Sequence, residues 1–465
     1  MLVPDPTTRT NSKATLDLPW WVNPIWPATI VFSIAVFFAY RGGVQQYDVW
    51  NSTKYVDKHF VFLMIYGFTA FIAGIMIAST FALSVSLRND RGDGERPQVE
   101  LDETDVRLFD RFAHAMFLLT MLGYFAWVMF SLSRGGSISA VIDVFMFQDG
   151  AISRLKDVSA PVAGVTTLTQ LAPLAVTLRF LLRRLGSEQR RYEITIIVIL
   201  SAFRAFLYAE RLAIIEILVP LLIVSVVVPG REQHRVRSRL LPVLSIPSLW
   251  GVFAIFEYTR SWSYYSRISD ISFIDYITQR LLGYYVTSVN NSALYHRVSS
   301  GVDHDIFYPF PALWNAPIIG SILGAPQIES MRMGTWWALI LKSFGNPEFN
   351  NVGTFLVTDA DFGTLVSVAY WFILGAVLGL MYAGVRRASI PAIVALSCSF
   401  VGVLEIVRII YWTSGRFTPT IGGIVLLMVL SSLQHRPEHV PQRNPIGQLR
   451  PPALQRGHAE QSITS

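Results

Sequence analysis

Ten stretches of roughly 20 residues, apolar and almost free of charge, recur along this 465-residue chain. Each approaches or reaches the length that crosses about 30 Å of hydrocarbon as a helix. They cover 20–40, 60–86, 112–133, 162–182, 194–208, 212–228, 240–256, 363–383, 390–410 and 420–433. In lipid every backbone N–H and C=O must be satisfied within the segment, which selects helices. The predicted fold is therefore an all-α polytopic membrane protein of about ten transmembrane helices. Composition agrees: 52% of residues are hydrophobic and 15% charged, where a soluble domain carries about a quarter. Length alone would allow two or three soluble domains, and the apolar runs exclude them. Pro173, Pro220 and Pro247 fall inside stretches, where bundle neighbours compensate the lost hydrogen bond.

The charges order the connections. Net charge is 38 − 32 = +6. In such a chain this excess faces anionic lipid in cytoplasmic loops and implies no nucleic-acid partner. The second connection holds Arg88, Arg91, Arg96, Arg107 and Arg111. The fourth holds Arg183, Arg184, Arg190 and Arg191, the sixth Arg231, Arg235, Arg237 and Arg239, and the eighth Arg386 and Arg387. Alternate connections carry fewer, Lys54 and Lys58 in one and Arg134, Arg154 and Lys156 in another. The bias puts both termini in the cytoplasm. The resulting division is a cytoplasmic tail (1–19), helices one to seven (20–256), an extracytoplasmic loop (257–361), helices eight to ten (362–433) and a disordered, Pro/Arg/Gln-rich cytoplasmic tail (434–465). The polar N-terminus shows no signal-peptide cleavage pattern, so the first apolar run is expected to stay as an anchor. Cys398 is the one cysteine, which excludes an intrachain disulfide and a thiolate zinc site.

The seventh connection breaks the pattern. It runs for about 100 residues, far beyond an ordinary connector, and is rich in Tyr, Trp, Phe, Pro and Gly. Within it, 273–289 and 336–344 mix apolar and basic residues at helical spacing. Such helices are expected to lie on the membrane interface, apolar face down, or to fold over a cavity between the spans.

Charges inside or at the edge of spans are costly and point to function. The densest case is Arg204, Glu210 and Arg211 between spans five and six. One reading is an Arg–Glu pair that fixes two helices together. The other is an anion clamp, since guanidinium offers a planar fork of donors suited to phosphate. Arg260, Arg267, Arg280, Arg297 and Arg332 lie in or near the large loop, and Arg408 and Arg416 flank the outer end of span nine. As a set they make this side cationic and suit a lipid with a phosphate or diphosphate head group. Two acidic spacings, Asp303-His304-Asp305 and Asp359-Ala360-Asp361, look like metal motifs. The second resembles the Asp-x-Asp of nucleotide-sugar transferases, but the soluble α/β domain around that motif is missing, so neither is read as a metal site and no cofactor is expected. His296 and His304 are the loop histidines able to act as a general base. There is no Walker loop, no Gly-x-Ser-x-Gly and no His-Glu-x-x-His. The spans do not fall into two matching halves, as a transporter's often do.

The run Asn350-Asn351-Val352-Gly353-Thr354-Phe355, followed by Asp361-Phe362-Gly363 opening an apolar span, resembles a signature of the oligosaccharide repeat-unit polymerases, the O-antigen polymerase (Wzy-type) group. Gly164-Val165-Thr166-Thr167-Leu168-Thr169-Gln170-Leu171 is similar to the entry to that family's fourth span, and Glu210-Arg211 sits where the family places an arginine between paired spans. The resemblance spans about 112–433. It implies a metal-independent glycosyltransferase of the GT-C type at the bacterial inner membrane, facing outward. The donor would be a glycan on undecaprenyl diphosphate, and the acceptor a hydroxyl of another lipid-linked repeat unit. A flippase and a chain-length regulator would be its partners, beside membrane lipid. Arg211 would bind the diphosphate next to Glu210, with Arg204, Arg260, Arg280, Arg332 and His296 around the substrate. Asn351 and Thr354 would bond sugar or shape the loop's return. Asp361 is either a base or a cap on span eight. The O-antigen ligases share this layout, and a flippase or transporter of lipid-linked saccharide is the alternative from another class.

Overall fold

The computed structural model describes residues 12–89, 97–146, 148, 150–162, 164–187, 189–207, 211–229, 235–268, 270–299, 308–316, 318–325 and 333–434. The polar N-terminal segment forms strand β1 (Ser12–Thr15), and a 3-10 turn follows at Trp20–Val22. Helices α1 (Ile25–Arg41), α2 (Val44–Val49) and α3 (Lys58–Asn89) precede strand β2 (Gln98–Leu101). α4 (Glu103–Ser133) leads through α5 (Ile138–Phe145) and α6 (Ala151–Val158) to a 3-10 stretch, Val165–Leu171, that runs into α7 (Ala172–Arg184). Then come α8 (Tyr192–Leu207), α9 (Leu212–Val227) and α10 (Arg235–Glu257). A π-helical turn, Tyr258–Trp262, joins α10 to α11 (Ser263–Ile268). After α12 (Phe273–Ser299) the chain makes the single turns α13 (Pro311–Trp314) and α14 (Ile319–Ile322), then α15 (Met333–Phe344) and α16 (Phe355–Phe362). α17 (Thr364–Arg386), α18 (Ile390–Leu404) and α19 (Thr418–Gln434) follow.

Each of the ten apolar stretches falls on a helix: α1, α3, α4, α7 with its 3-10 lead, α8, α9, α10, α17, α18 and α19. Among the described residues five helical segments are long and apolar enough to cross a membrane: Lys58–Val85, Glu103–Ser133, Val165–Arg184, Arg239–Glu257 and Thr364–Arg386. α1, α9, α18 and α19 are shorter and apolar. The set is compatible with a multi-pass membrane protein.

Three features depart from the sequence expectation. The fold is mostly helical but not all-α, because β1 pairs antiparallel with β2, Ser12 opposite Leu101. The N-terminal segment is thereby tied to the α3–α4 connection, and Asp17 N–H donates to the Val227 carbonyl at the end of α9 (3.0 Å). α18 ends at Leu404 rather than near 410, because 405–408 turns to bring Glu405 and Arg408 into contact (2.8 Å). The third concerns 273–289, expected on the lipid interface. It belongs instead to the 27-residue α12, which is buried along most of its length, about 40 Å at helical rise. Its two central asparagines are satisfied inside the protein. Asn290 Oδ1 accepts from the Tyr55 and Val56 amides (2.6 and 3.1 Å), and its amide donates to the Thr53 carbonyl (2.7 Å). Asn291 donates to the carbonyls of Phe349 and Asn351 (2.6 and 2.9 Å). α15 is divided: Trp337 and Leu341 pack against Leu294 and Tyr295 of α12, while Leu339 and Phe344 stay exposed. The C-terminal tail after 434 lies outside the described residues.

The tightest helix contact joins α3 to α17. A Cβ on Gly375 would stand 2.0 Å from the Phe71 carbonyl oxygen, and one on Gly74 2.1 Å from that of Phe372. Gly375 and Gly379 are four apart, on one face, the spacing that lets two membrane helices meet backbone to backbone. Gly375→Ala forces these backbones apart, and overpacking of this kind costs about 1–3 kcal/mol. Thermal melting of the detergent-purified protein should show a clear loss for Gly375→Ala. Gly422→Ala in α19, where a Cβ meets nothing within 4 Å, should show none.

Candidate functional site

α10 is apolar and carries one carboxylate, Glu257, at its last residue. That carboxylate is fully buried. A buried charge must be paired, and both of its oxygens are engaged. Arg211, at the start of α9, donates through Nη2 to Oε1. Oε2 meets Arg280 Nε of α12 (2.7 Å) and accepts from Ser261 Oγ (2.6 Å). Arg280 reaches on to Glu348 (2.7 Å), which also accepts from Tyr265 (3.0 Å). Burial works against the Arg280 charge, but Glu257, Tyr284, Tyr276 and Glu348 together outweigh it, so its pKa is raised.

Three guanidiniums gather round one ring of α12. Arg211 lies 4.9 Å from the Tyr284 centroid, Arg408 5.6 Å and Arg280 5.9 Å. Arg211 is also 4.1 Å from the Phe253 ring and donates to Tyr284 Oη (3.1 Å). Arg408 is equally close to Tyr285 (5.6 Å), and its buried Nε has no hydrogen-bond partner among the described residues. Cation–π contact holds such charges over an aromatic face at modest cost.

A second pairing adjoins this one. Glu216, buried in α9, is gripped by Arg416 through Nε and Nη2 (2.9 and 3.0 Å) and accepts from Tyr411 Oη (3.1 Å). Burial, and then Glu216 beside it, raises the Tyr411 pKa well above the usual phenol value, so the hydroxyl stays a donor. Arg204, buried at the end of α8, donates to Thr169 Oγ1 (2.9 Å), and Gln170, with its amide oxygen turned inward, accepts from both terminal nitrogens (3.0 and 3.1 Å). Thr169 and Gln170 belong to the 164–171 motif, so that motif supplies ligands to a buried arginine. Among the described residues the network brings together five arginines (204, 211, 280, 408 and 416) and four glutamates (216, 257, 348 and 405).

The expected site divides accordingly. Arg204, Arg211 and Arg280 meet in this network. Among the described residues Arg211 pairs with Glu257; Glu210 and Arg332 lie outside the described residues, as do Asp303, His304 and Asp305, and the side chain of Arg260. His296 and Asp361 are elsewhere: His296 is twelve residues beyond Tyr284 on α12, about 18 Å along the axis. There His296 Nε2 donates to Asp359 Oδ2 (2.8 Å), and its ring meets Phe60 edge-on (5.3 Å). Asp361 accepts from Tyr295 Oη and the Tyr308 amide (2.7 Å each). It does not cap α17, whose N-cap is Gly363 without a side-chain bond; its oxygens are used by Tyr295 and the 308–310 turn instead. Burial and then Asp361 push the Tyr308 hydroxyl up to about 12. Thr354 Oγ1 donates to the Ile406 carbonyl (2.6 Å), and the Asn351 carbonyl is held by Asn291. Gly353, at φ +78°, presses on the Ser288 carbonyl of α12, a backbone state that favours glycine. This segment shapes the chain's return to the bundle.

Sequence reasoning missed Glu216, Glu257 and Glu405. A signal was there: each is a lone carboxylate within or ending an apolar run. It also missed a second buried cluster at the other end of α8. Arg179 of α7 donates to Asp110 of α4 and to Glu193 of α8 (2.8 Å to the latter). Arg190 meets Asp110 (2.6 Å), and His114 donates to Glu193 (2.6 Å). Among the described residues no three His, Cys, Asp or Glu side chains come together as a metal site. Compared with family models, with curated proteins and with solved structures, the chain gives no match.

Two outcomes follow. Glu257→Ala strands two arginines in the interior, and breaking a buried pair costs roughly 3–5 kcal/mol; thermal melting should show one of the largest losses in the chain. The second concerns Asp359. Burial raises its pKa, but the His296 hydrogen bond and charge, the Thr364 bond and His59 outweigh that, so it is lowered below 3.8. A depressed carboxylate contributes stability above its unfolded pKa and loses it as pH falls through the folded one. Hydrogen exchange of α16 should accelerate on acidification below about pH 4, and Asp359→Asn should remove this dependence.

Proposed function

We propose that this protein is a glycosyltransferase of the bacterial inner membrane. It joins undecaprenyl-diphosphate-linked oligosaccharide repeat units into a surface polysaccharide, working at the extracytoplasmic face. The observation that carries the reading is the convergence of Arg211, Arg280 and Arg408 on Tyr284. Displacement at an anomeric carbon with a diphosphate leaving group needs positive charge where negative charge develops. Guanidinium supplies it with fixed, forked donors. Among the described residues the network carries one more arginine than glutamate, and the buried Arg408 Nε offers a donor to an anionic oxygen.

Orientation rests on the arginine bias of the connections. That bias groups the N-terminus with the second and sixth connections, and β1, β2 and the end of α9 are hydrogen-bonded together at one end of the bundle. The arginine network lies at the other end, where α9 begins and α10 ends, and that end is assigned to the extracytoplasmic side. A flippase would call for cations along a path through the bundle. Here the cluster at the far end of α8 pairs two arginines with two carboxylates, and Ile197 and Ser201 lie between the two layers on the buried face of α8. A ligase would use the same site with a different acceptor.

The test uses purified protein and lipid-linked repeat unit alone, read as a polymer ladder. Polymerisation should persist in excess EDTA. Arg211→Ala should slow it about 10²–10³-fold, the loss expected for one charge-assisted contact in a dry site, and Arg211→Lys should retain only part. The pair Arg211→Met/Glu257→Gln removes both charges, so it should melt closer to wild type than Arg211→Ala while still failing to polymerise. Full-length polymer from this double variant would reduce Arg211 to a helix-pairing charge. Product only when a foreign acceptor is added would favour the ligase.

A further inference from the structure

We propose that α5 and α6 form an in-plane membrane anchor, a helical hairpin seated in the headgroup region with one stripe of α5 in the acyl layer. The chain leaves α4 at Ser133 and turns at Arg134–Gly136, with Gly135 at φ +88°. α5 then begins at Ser137, whose hydroxyl accepts from the Ala140 amide (3.2 Å). Ile138, Ile142 and Met146 recur every fourth residue, on one helical face. They are 81%, 53% and 70% exposed.

The opposite face is committed to the protein. Val144 packs with Tyr124 and Trp127 of α4, Ala151 and Leu155 of α6 and Leu207 of α8. Three hydrogen bonds clamp the hairpin to the bundle: Trp127 Nε1 to the Ser159 carbonyl (2.7 Å), Ser159 Oγ to the Leu207 carbonyl (3.3 Å) and Arg134 Nη1 to the Ala160 carbonyl (2.7 Å). The hairpin is therefore fixed, and the isoleucine stripe points outward by construction. α6 shows the reverse chemistry, with Ser153, Arg154, Lys156 and Asp157 exposed.

The occupant that fits is lipid. The stripe follows on from the exposed apolar side of α4, where Phe125, Met129 and Leu132 also point outward on a helix long and apolar enough to cross a membrane. An exposed apolar stripe beside long basic side chains is the pattern of an interfacial helix, with Arg and Lys heads reaching phosphate while their stems lie on apolar surface. The anchor also has a consequence inside the bundle. The hairpin leads directly into the 3-10 stretch that carries Thr169, the hydrogen-bond partner of Arg204, so its depth sets the arginine network near headgroup level. The anchor holds whatever reaction that network performs.

Depth-dependent quenching of the full-length protein in phosphatidylglycerol-containing nanodiscs tests this. Cys398 is buried, so Cys398→Ala provides the background. A fluorophore is placed by Ile142→Cys, by Ile138→Cys on the same face, and by Ser153→Cys on α6. Labels at 138 and 142 should be quenched several-fold more by a lipid with a spin label near the glycerol than by aqueous iodide, and the label at 153 should reverse that order. Iodide-accessible labels at 138 and 142 would show the stripe in water. Labels shielded from both quenchers would show a protein partner covering it. Either result overturns the anchor.

Discussion

The buried carboxylate of Glu257 is the joint on which the packing of α9, α10 and α12 depends. An unpaired charge in an apolar bundle is prohibitively costly, so Glu257 must be met by cations from neighbouring helices. Arg211 comes from the start of α9 and Arg280 from the first half of α12. That requirement fixes where α9, α10 and α12 stand relative to one another. It also stacks Arg211 on Phe253 and Tyr284, which draws the turn after α18 and its Arg408 to the same ring.

α12 does for the large connection what a hydrophobic core does for a soluble domain. Its asparagines stand in for backbone groups. Asn290 takes the hydrogen bonds of 53–56, and Asn291 those of 349 and 351. Two connections that would otherwise be solvated are thereby folded onto a helix too polar to cross lipid by itself. A buried polar helix of this kind is stable only when most of its polar groups find partners, as Asn290 and Asn291 do.

The two charge layers of α8 differ in kind. At the Glu193 end Arg179 is enclosed by Asp110 and Glu193, and charge is balanced within the cluster. Such a cluster specifies which helices meet. At the Arg204 end the described arginines exceed the described glutamates by one, and tyrosines supply further contacts. The proposed action on a diphosphate-linked glycan rests on that arrangement.

The helices were legible in the sequence because a long apolar run has one solution in lipid, and each of the ten runs lies on a helix. The arginines of the site were legible in part, since a charge next to an apolar run is conspicuous wherever it sits; Arg204 and Arg211 were identified this way, and Arg280 as one of the arginines of the large loop. Their partners were not. Glu257 read only as the first residue of the large loop, and Glu216 was passed over, because which cation meets which carboxylate depends on helix faces that are distant in sequence. For the same reason 273–289 read as an interfacial helix. Its mixture of apolar, polar and basic residues has the same spacing whether the basic side meets water or, as at Arg280, the buried carboxylate of Glu257. Local composition determined that these segments are helices and roughly how long they run. Only the tertiary structure decided which polar groups face each other, because pairing is a property of two surfaces and periodicity describes one.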